Sequence, residues 1–128
     1  MKKTMIMFFL LFGLAGQSFP AFGLEVTRIV IAPTIQDREP SGAADSFLGS
    51  VGKLYCFSHI IGADQEASVT HVWFWKGKEM ARMELPVRSS SWRTWSSKNL
   101  RPDWTGTWEV RILDEQGNLL SSVPFTLE

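Results

Sequence analysis

Trp92-Arg93-Thr94-Trp95-Ser96-Ser97-Lys98-Asn99-Leu100-Arg101-Pro102-Asp103-Trp104-Thr105-Gly106-Thr107-Trp108 holds four of the six tryptophans of the chain. Its order of aromatic rings, basic residues, Pro102 and Gly106 reads as a strand, a tight corner and a second strand. The second strand has the clearest pattern. From Thr107 to Leu113, Trp108, Val110 and Ile112 alternate with Glu109 and Arg111, the period of two expected of a half-buried strand with the apolar set inward. In the first strand Trp92 and Trp95 stand three apart, so their rings point to opposite faces. A sandwich with a single core buries only one of them fully, and at least one of the pair is expected at a surface.

Working outward, Asp114 to Asn118 makes a hairpin turn and Leu119 to Leu127 returns as the last strand. Upstream, Val51 to Ile60 and Val69 to Lys76 read as strands, separated by a polar connection and expected to pair as antiparallel neighbours. One face of the earlier strand carries Leu54, Cys56, Ser58 and Ile60, the other Tyr55, Phe57 and His59. The later one divides into His71, Trp73 and Trp75 against Val72 and Phe74. Two buried indoles remove more apolar area from water than Val72 and Phe74 can, which favours the Trp73 and Trp75 side as core; the reverse assignment stays open. Lys76-Gly77-Lys78 turns the chain into a strand over Met80 to Val87. Leu24 to Ile35 reads as an edge strand bent at Pro33, and residues 36 to 50 as a long surface loop pinned by Phe47. No window offers a helical stripe. About seven strands with turns between them predict an all-β, immunoglobulin-like antiparallel sandwich.

The chain opens Met-Lys-Lys, runs apolar from Met5 to Ala15 and reaches Ala21-Phe22-Gly23 through a proline, the layout of a secretory signal peptide. Residues 1 to 23 are therefore set apart from a single sandwich domain over residues 24 to 128, and a periplasmic or secreted location follows. The apolar run is shorter than the roughly 20 residues of a spanning helix, so membrane contact would come only through an uncleaved segment. Without Lys2 and Lys3, eleven Lys plus Arg face thirteen Asp plus Glu. Such a balance supplies no overall basic field to hold nucleic acid. The single cysteine, Cys56, has no partner for an internal disulfide.

Little in the chain points to catalysis. Cys56, His59 and His71 are the only thiol or imidazole ligands, and the Cys-x-x-His spacing sends its two ends to opposite faces of a strand. His71 reads as a core histidine bonded to backbone and His59 as a surface residue; no metal and no cofactor is expected. Ser89, Ser90, Ser91, Ser96 and Ser97 lack a nucleophile-elbow pattern, and Glu79, Glu84, Asp103 and Glu109 show no spacing that pairs them in a pocket. The strongest functional signal is the mixture of Arg88, Arg93, Lys98 and Arg101 with Trp92, Trp95 and Trp104. It supports two readings. Cations stacked on indoles stiffen a sheet, whereas an exposed indole beside cations suits a protein partner or a sugar.

Leu54-Tyr55-Cys56-Phe57, His71-x-Trp73, Trp92 to Lys98 and Trp104-Thr105-Gly106-x-Trp108, in this order, resemble the bacterial family called domain of unknown function 2914 over nearly all of the mature chain. The resemblance implies an exported bacterial setting and carries no activity, catalytic residue or ligand. A second likeness, to immunoglobulin-type sandwiches, rests on Trp104 to Val110. There Trp108 stands in place of a corner tyrosine and Val110 in place of the second cysteine, which makes Cys56 a small buried apolar residue.

The expectation is thus an exported, non-enzymatic module that binds a protein partner of the cell envelope, with Trp92, Arg93, Trp95 and Lys98 as the candidate surface. A glycan-binding module using exposed tryptophans with Arg and Lys beside them is the alternative.

Overall fold

β-Branched and aromatic residues in alternation with polar ones build the strands of the computed structural model, which describes residues 23 to 128. The expected signal peptide falls, apart from Gly23, outside the described residues. In chain order the strands are β1 (Glu25–Ala32), β2 (Thr34–Gln36), β3 (Glu39–Ser41), β4 (Ser46–Phe47), β5 (Lys53–Ile61), β6 (Ala67–Trp75), β7 (Lys78–Val87), β8 (Ser91–Asn99), β9 (Gly106–Leu113) and β10 (Leu119–Leu127). A three-stranded sheet, β1-β5-β8, packs on a five-stranded sheet, β4-β10-β9-β6-β7, and β2-β3 forms a separate hairpin. All pairings are antiparallel except β4 with β10. This is an all-β, immunoglobulin-like sandwich of seven long strands with three short ones added. Among the described residues no helix is long and apolar enough to cross a membrane.

Two expectations need correction. β5 and β6 are not neighbours: β5 lies between β1 and β8, and β6 between β7 and β9 in the opposite sheet. Their apolar faces must share one core, and stacking across the sandwich achieves this as well as pairing within a sheet, so periodicity could not separate the two. Residues 36 to 50 are not a plain loop either. They contain the end of β2, all of β3 and β4, and a 3-10 turn that begins at Gly49. Asp37 and Arg38 close the β2-β3 hairpin with φ of 51° and 63°. That is the left-handed pair a two-residue hairpin requires, usually written Asn-Gly.

Trp108, Val110 and Ile112 on β9 are fully buried, as is Trp73 on β6, so the side bearing Trp73 and Trp75 is the core face. Trp75 is half-buried and packs on the same cluster. The Trp108 Nε1–H donates to the carbonyl of Trp104 at 2.9 Å. Standing two residues before Val110 and bonded back to the preceding corner, Trp108 does what a corner tyrosine does in immunoglobulin sandwiches. Cys56 and Val110 are both fully buried in one apolar cluster, and Cys56 is a free thiol.

A polar belt divides the core. On one side lie Leu54, Cys56, Trp73, Trp108 and Phe125; on the other lie Ile60, Val69, Val87 and Ile112. Between these sets β5 places Ser58, β6 His71 and β8 Thr94 with Ser96, all buried. Trp73 Nε1–H donates to Ser96 Oγ at 3.1 Å, and Ser96 Oγ lies 2.8 Å from His71 Nδ1. Ser58 Oγ donates to the carbonyl of Thr94 at 3.2 Å and lies 3.3 Å from His71 Nε2. With the Ser58 proton committed to Thr94, Nε2 must be the donor to Ser58, and Nδ1 accepts from Ser96. His71 is therefore bonded to serine side chains of the opposite sheet, not to backbone as expected. The neutral ring satisfies every member of the ladder, and burial lowers the His71 pKa from 6.5 to about 4.

Candidate binding surface

β8 alternates as its sequence predicts. Thr94 and Ser96 turn inward and are buried, while Arg93 and Trp95 lie half-buried on the outer face of the three-stranded sheet. Trp95 stands directly opposite Phe57 of β5, and the rings stack with centroids 6.3 Å apart and planes 13° from parallel. Phe57 is fully buried although it lies on the outer face. β1 and the β2-β3 hairpin provide the cover. The Arg28 guanidinium sits 5.2 Å above the Phe57 ring, and Arg38, from the hairpin turn, sits 5.7 Å above Trp95.

Glu39 ties this cover down. Its carboxylate accepts from Arg28 of β1 at 2.8 Å and from Arg93 of β8 at 2.6 Å, so one β3 residue staples both edge strands of the sheet. The Arg28 guanidinium, with Arg93 beside it, holds the Glu39 carboxyl below the usual carboxylate range. Arg38 adopts a left-handed conformation that glycine would occupy without strain. A local rule is broken at the residue that lays its cation on Trp95, and such breaks concentrate where a site is built.

The four predicted residues do not form one patch. Arg93 and Trp95 come together on the outer face. Trp92 is on the inner face, packed at the edge of the Ile60, Val69 and Ile112 cluster, and reaches the surface only at the side of the sandwich. There a groove of about 240 Å³ runs between β8 and β7, lined by Trp92, Arg93 and Trp95 with Arg38, Pro86 and Arg88. It is smaller than the roughly 300 Å³ at which small-molecule pockets begin. Lys98 belongs elsewhere: its Nζ lies 5.2 Å above the ring of Trp104, which also meets Arg101 at 5.6 Å. Arg101 is held in turn by both carboxylate oxygens of Asp103 at 3.0 Å. A three-residue step sends Trp92 and Trp95 to opposite faces, and a five-residue step does the same to Arg93 and Lys98, so strand parity alone divides the set.

Arg38, Glu39 and the buried role of Phe57 were not legible. Phe57 carried one signal, a large aromatic on the face opposite the core set of β5. Arg38 and Glu39 sat in a stretch without period, and only the hairpin brings them over β8.

Cys56 is fully buried, with burial pushing its thiol pKa up, while His59 lies on the other face of β5 and meets Ser91 Oγ at 2.8 Å. Among the described residues no three His, Cys, Asp or Glu side chains converge as a metal site. Ser96 and His71 form a hydrogen-bonded pair, but both are buried and no carboxylate bonds to the ring. No tryptophan is fully exposed. The close pair of half-buried indoles, Trp75 and Trp104, is tilted by 38°, not coplanar as a sugar platform would be.

A search of the curated proteins finds no match to the chain. A family model described as "Protein of unknown function (DUF2914)" matches residues 66–127, which span β6 to β10 and leave Leu54 to Phe57 outside the matched region. Through these residues, which include His71, Trp73, all of β8 and the Trp104 to Trp108 corner, the chain is similar to the DUF2914 family.

Proposed function

We propose that the chain is an exported, non-catalytic module that binds a protein partner of the cell envelope through the Trp95 side of β8. The observation that carries this reading is Trp95 itself. It is half-buried, backed by Phe57 and flanked by the guanidinium groups of Arg38 and Arg93. A rigid indole with fixed donors beside it is the composition of an interface hot spot, because little side-chain entropy remains to be lost on binding. The glycan reading has less support, since it calls for two coplanar exposed indoles.

Retention of an envelope protein on the immobilised chain, compared with Trp95→Ala, tests the surface. The variant should lose about 1–2 kcal/mol of stability through its half-buried stacked ring. It should weaken partner binding by about 2 kcal/mol or more. Undiminished retention by folded Trp95→Ala would move the site away from β8. Export is checked by the mass of the chain from the envelope fraction, expected to begin at Leu24.

A further inference from the structure

We propose that the free edge of β8 accepts an acidic, extended segment of the partner as an added strand. This rests on the binding-module reading above and names the chemistry of the partner.

The edges of the two sheets are not alike. β1 carries a bulge between Val26 and Arg28 and is bridged by Ala44 at Ile31. β7 skips a residue at Met80 and contains Pro86; β10 skips Leu120, contains Pro124 and is capped at its end by β4. Bulges and prolines are the usual devices that keep an edge from pairing with another chain. β8, nine residues long, has neither, and it runs in unbroken register with β5 from Ser91↔Ile61 to Asn99↔Lys53.

The backbone groups that point outward can be named. The carbonyl of Ser90 accepts from the amide of Gly62 at 3.1 Å, and the amide of Leu100 donates to Gly52 at 2.8 Å. Residues in step with Ser90 and Leu100 thus turn toward β5, and alternation turns the amides and carbonyls of Arg93, Trp95 and Ser97 to the open side. The carbonyl of Ser91, also on the open side, is already occupied by the Ser89 hydroxyl at 2.9 Å.

Charge selects the occupant. Arg38, Arg88 and Arg93 line the groove beside this edge, and no carboxylate does. Arg93 is held by Glu39, but Arg88 meets Glu66 only at 3.7 Å with both side chains largely exposed. Among the described residues Arg38 is within ion-pair distance of no carboxylate. An incoming strand would alternate its side chains between the Trp95 face and the Trp92 side of the groove. Carboxylates interleaved with β-branched apolar residues answer both. A second copy of β8 would instead bring two sets of these cations together.

The test uses a peptide of alternating glutamate and valine, its lysine–valine counterpart, and hydrogen exchange of the isotope-labelled protein. The acidic peptide should slow exchange at the amides of Arg93, Trp95 and Ser97 by about tenfold or more. Ser97→Pro, which removes an outward donor and leaves the ladder to β5 intact, should raise the Kd by about tenfold, while Ser97→Ala should not. Arg88→Glu, remote from the ladder, should weaken binding by a comparable factor and keeps the test open should Ser97→Pro not fold. Unchanged exchange at the three amides, or equal protection by the lysine peptide, overturns the proposal. So does a dimer in sedimentation that Ser97→Pro dissociates, since a second copy would then hold the edge. If Trp95→Ala abolishes partner retention and Ser97→Pro preserves it, the binding-module reading stands and strand addition falls.

Discussion

Acidification should destabilise this protein through His71 before its carboxylates matter. The ladder Trp73 to Ser96 to His71 to Ser58 to Thr94 is complete only with a neutral ring. A proton on Nδ1 would make Ser96 accept twice and leave its own hydroxyl hydrogen buried without an acceptor. His71 accordingly has a pKa of about 4 in the fold against 6.5 in the ordinary state. Because the folded value is the lower one, the unfolded chain takes up the proton first; stability is full above about pH 6.5 and is lost as pH falls toward about 4. At 1.36 kcal/mol for each pH step of differential binding, the loss reaches about 2 kcal/mol by about pH 5 and about 3 kcal/mol at the lower end. Against a total of roughly 5–15 kcal/mol, that is a large share. Urea unfolding followed by tryptophan fluorescence between about pH 7 and pH 5 isolates it, since most carboxylates remain ionised there. The midpoint should fall with the slope unchanged. His71→Gln should cost about 1–3 kcal/mol at neutral pH through broken buried hydrogen bonds and should flatten the dependence. A wild-type midpoint constant over this range, or an equally steep dependence in His71→Gln, would refute the reasoning.

Trp108→Ala should cost about 3–5 kcal/mol, because the ring is fully buried, stacks on Phe125 at 5.7 Å and supplies the corner hydrogen bond; a loss below about 1 kcal/mol in denaturant unfolding would be incompatible with the β9 register. Cys56, fully buried and with its thiol pKa raised, should resist a thiol reagent at about pH 8 in the folded protein and react fully in denaturant. Rapid labelling under native conditions would contradict its place in the core.

Strand parity carried much of the fold, because side-chain direction in a strand is a local property. It placed Trp108, Val110 and Ile112 inward, put Leu54, Cys56, Ser58 and Ile60 on one face, and sent Trp92 and Trp95 apart. Composition decided the sandwich, since seven half-buried strands without a helical stripe have few other ways to cover their apolar faces. Which strands pair is not local, and β5 and β6, adjacent in sequence, fell into different sheets. The serine partners of His71 likewise come from β5 and β8 of the opposite sheet. The candidate surface shows the same division. Arg93 and Trp95 were recognisable as residues, but the cation above Trp95 and the carboxylate on Arg93 arrive from a hairpin more than fifty residues earlier. Its turn, Asp37-Arg38, lacks the glycine that would have announced it. Periodicity reports which way a side chain points; what it meets there depends on loop closure between distant segments, and only the folded chain sets that.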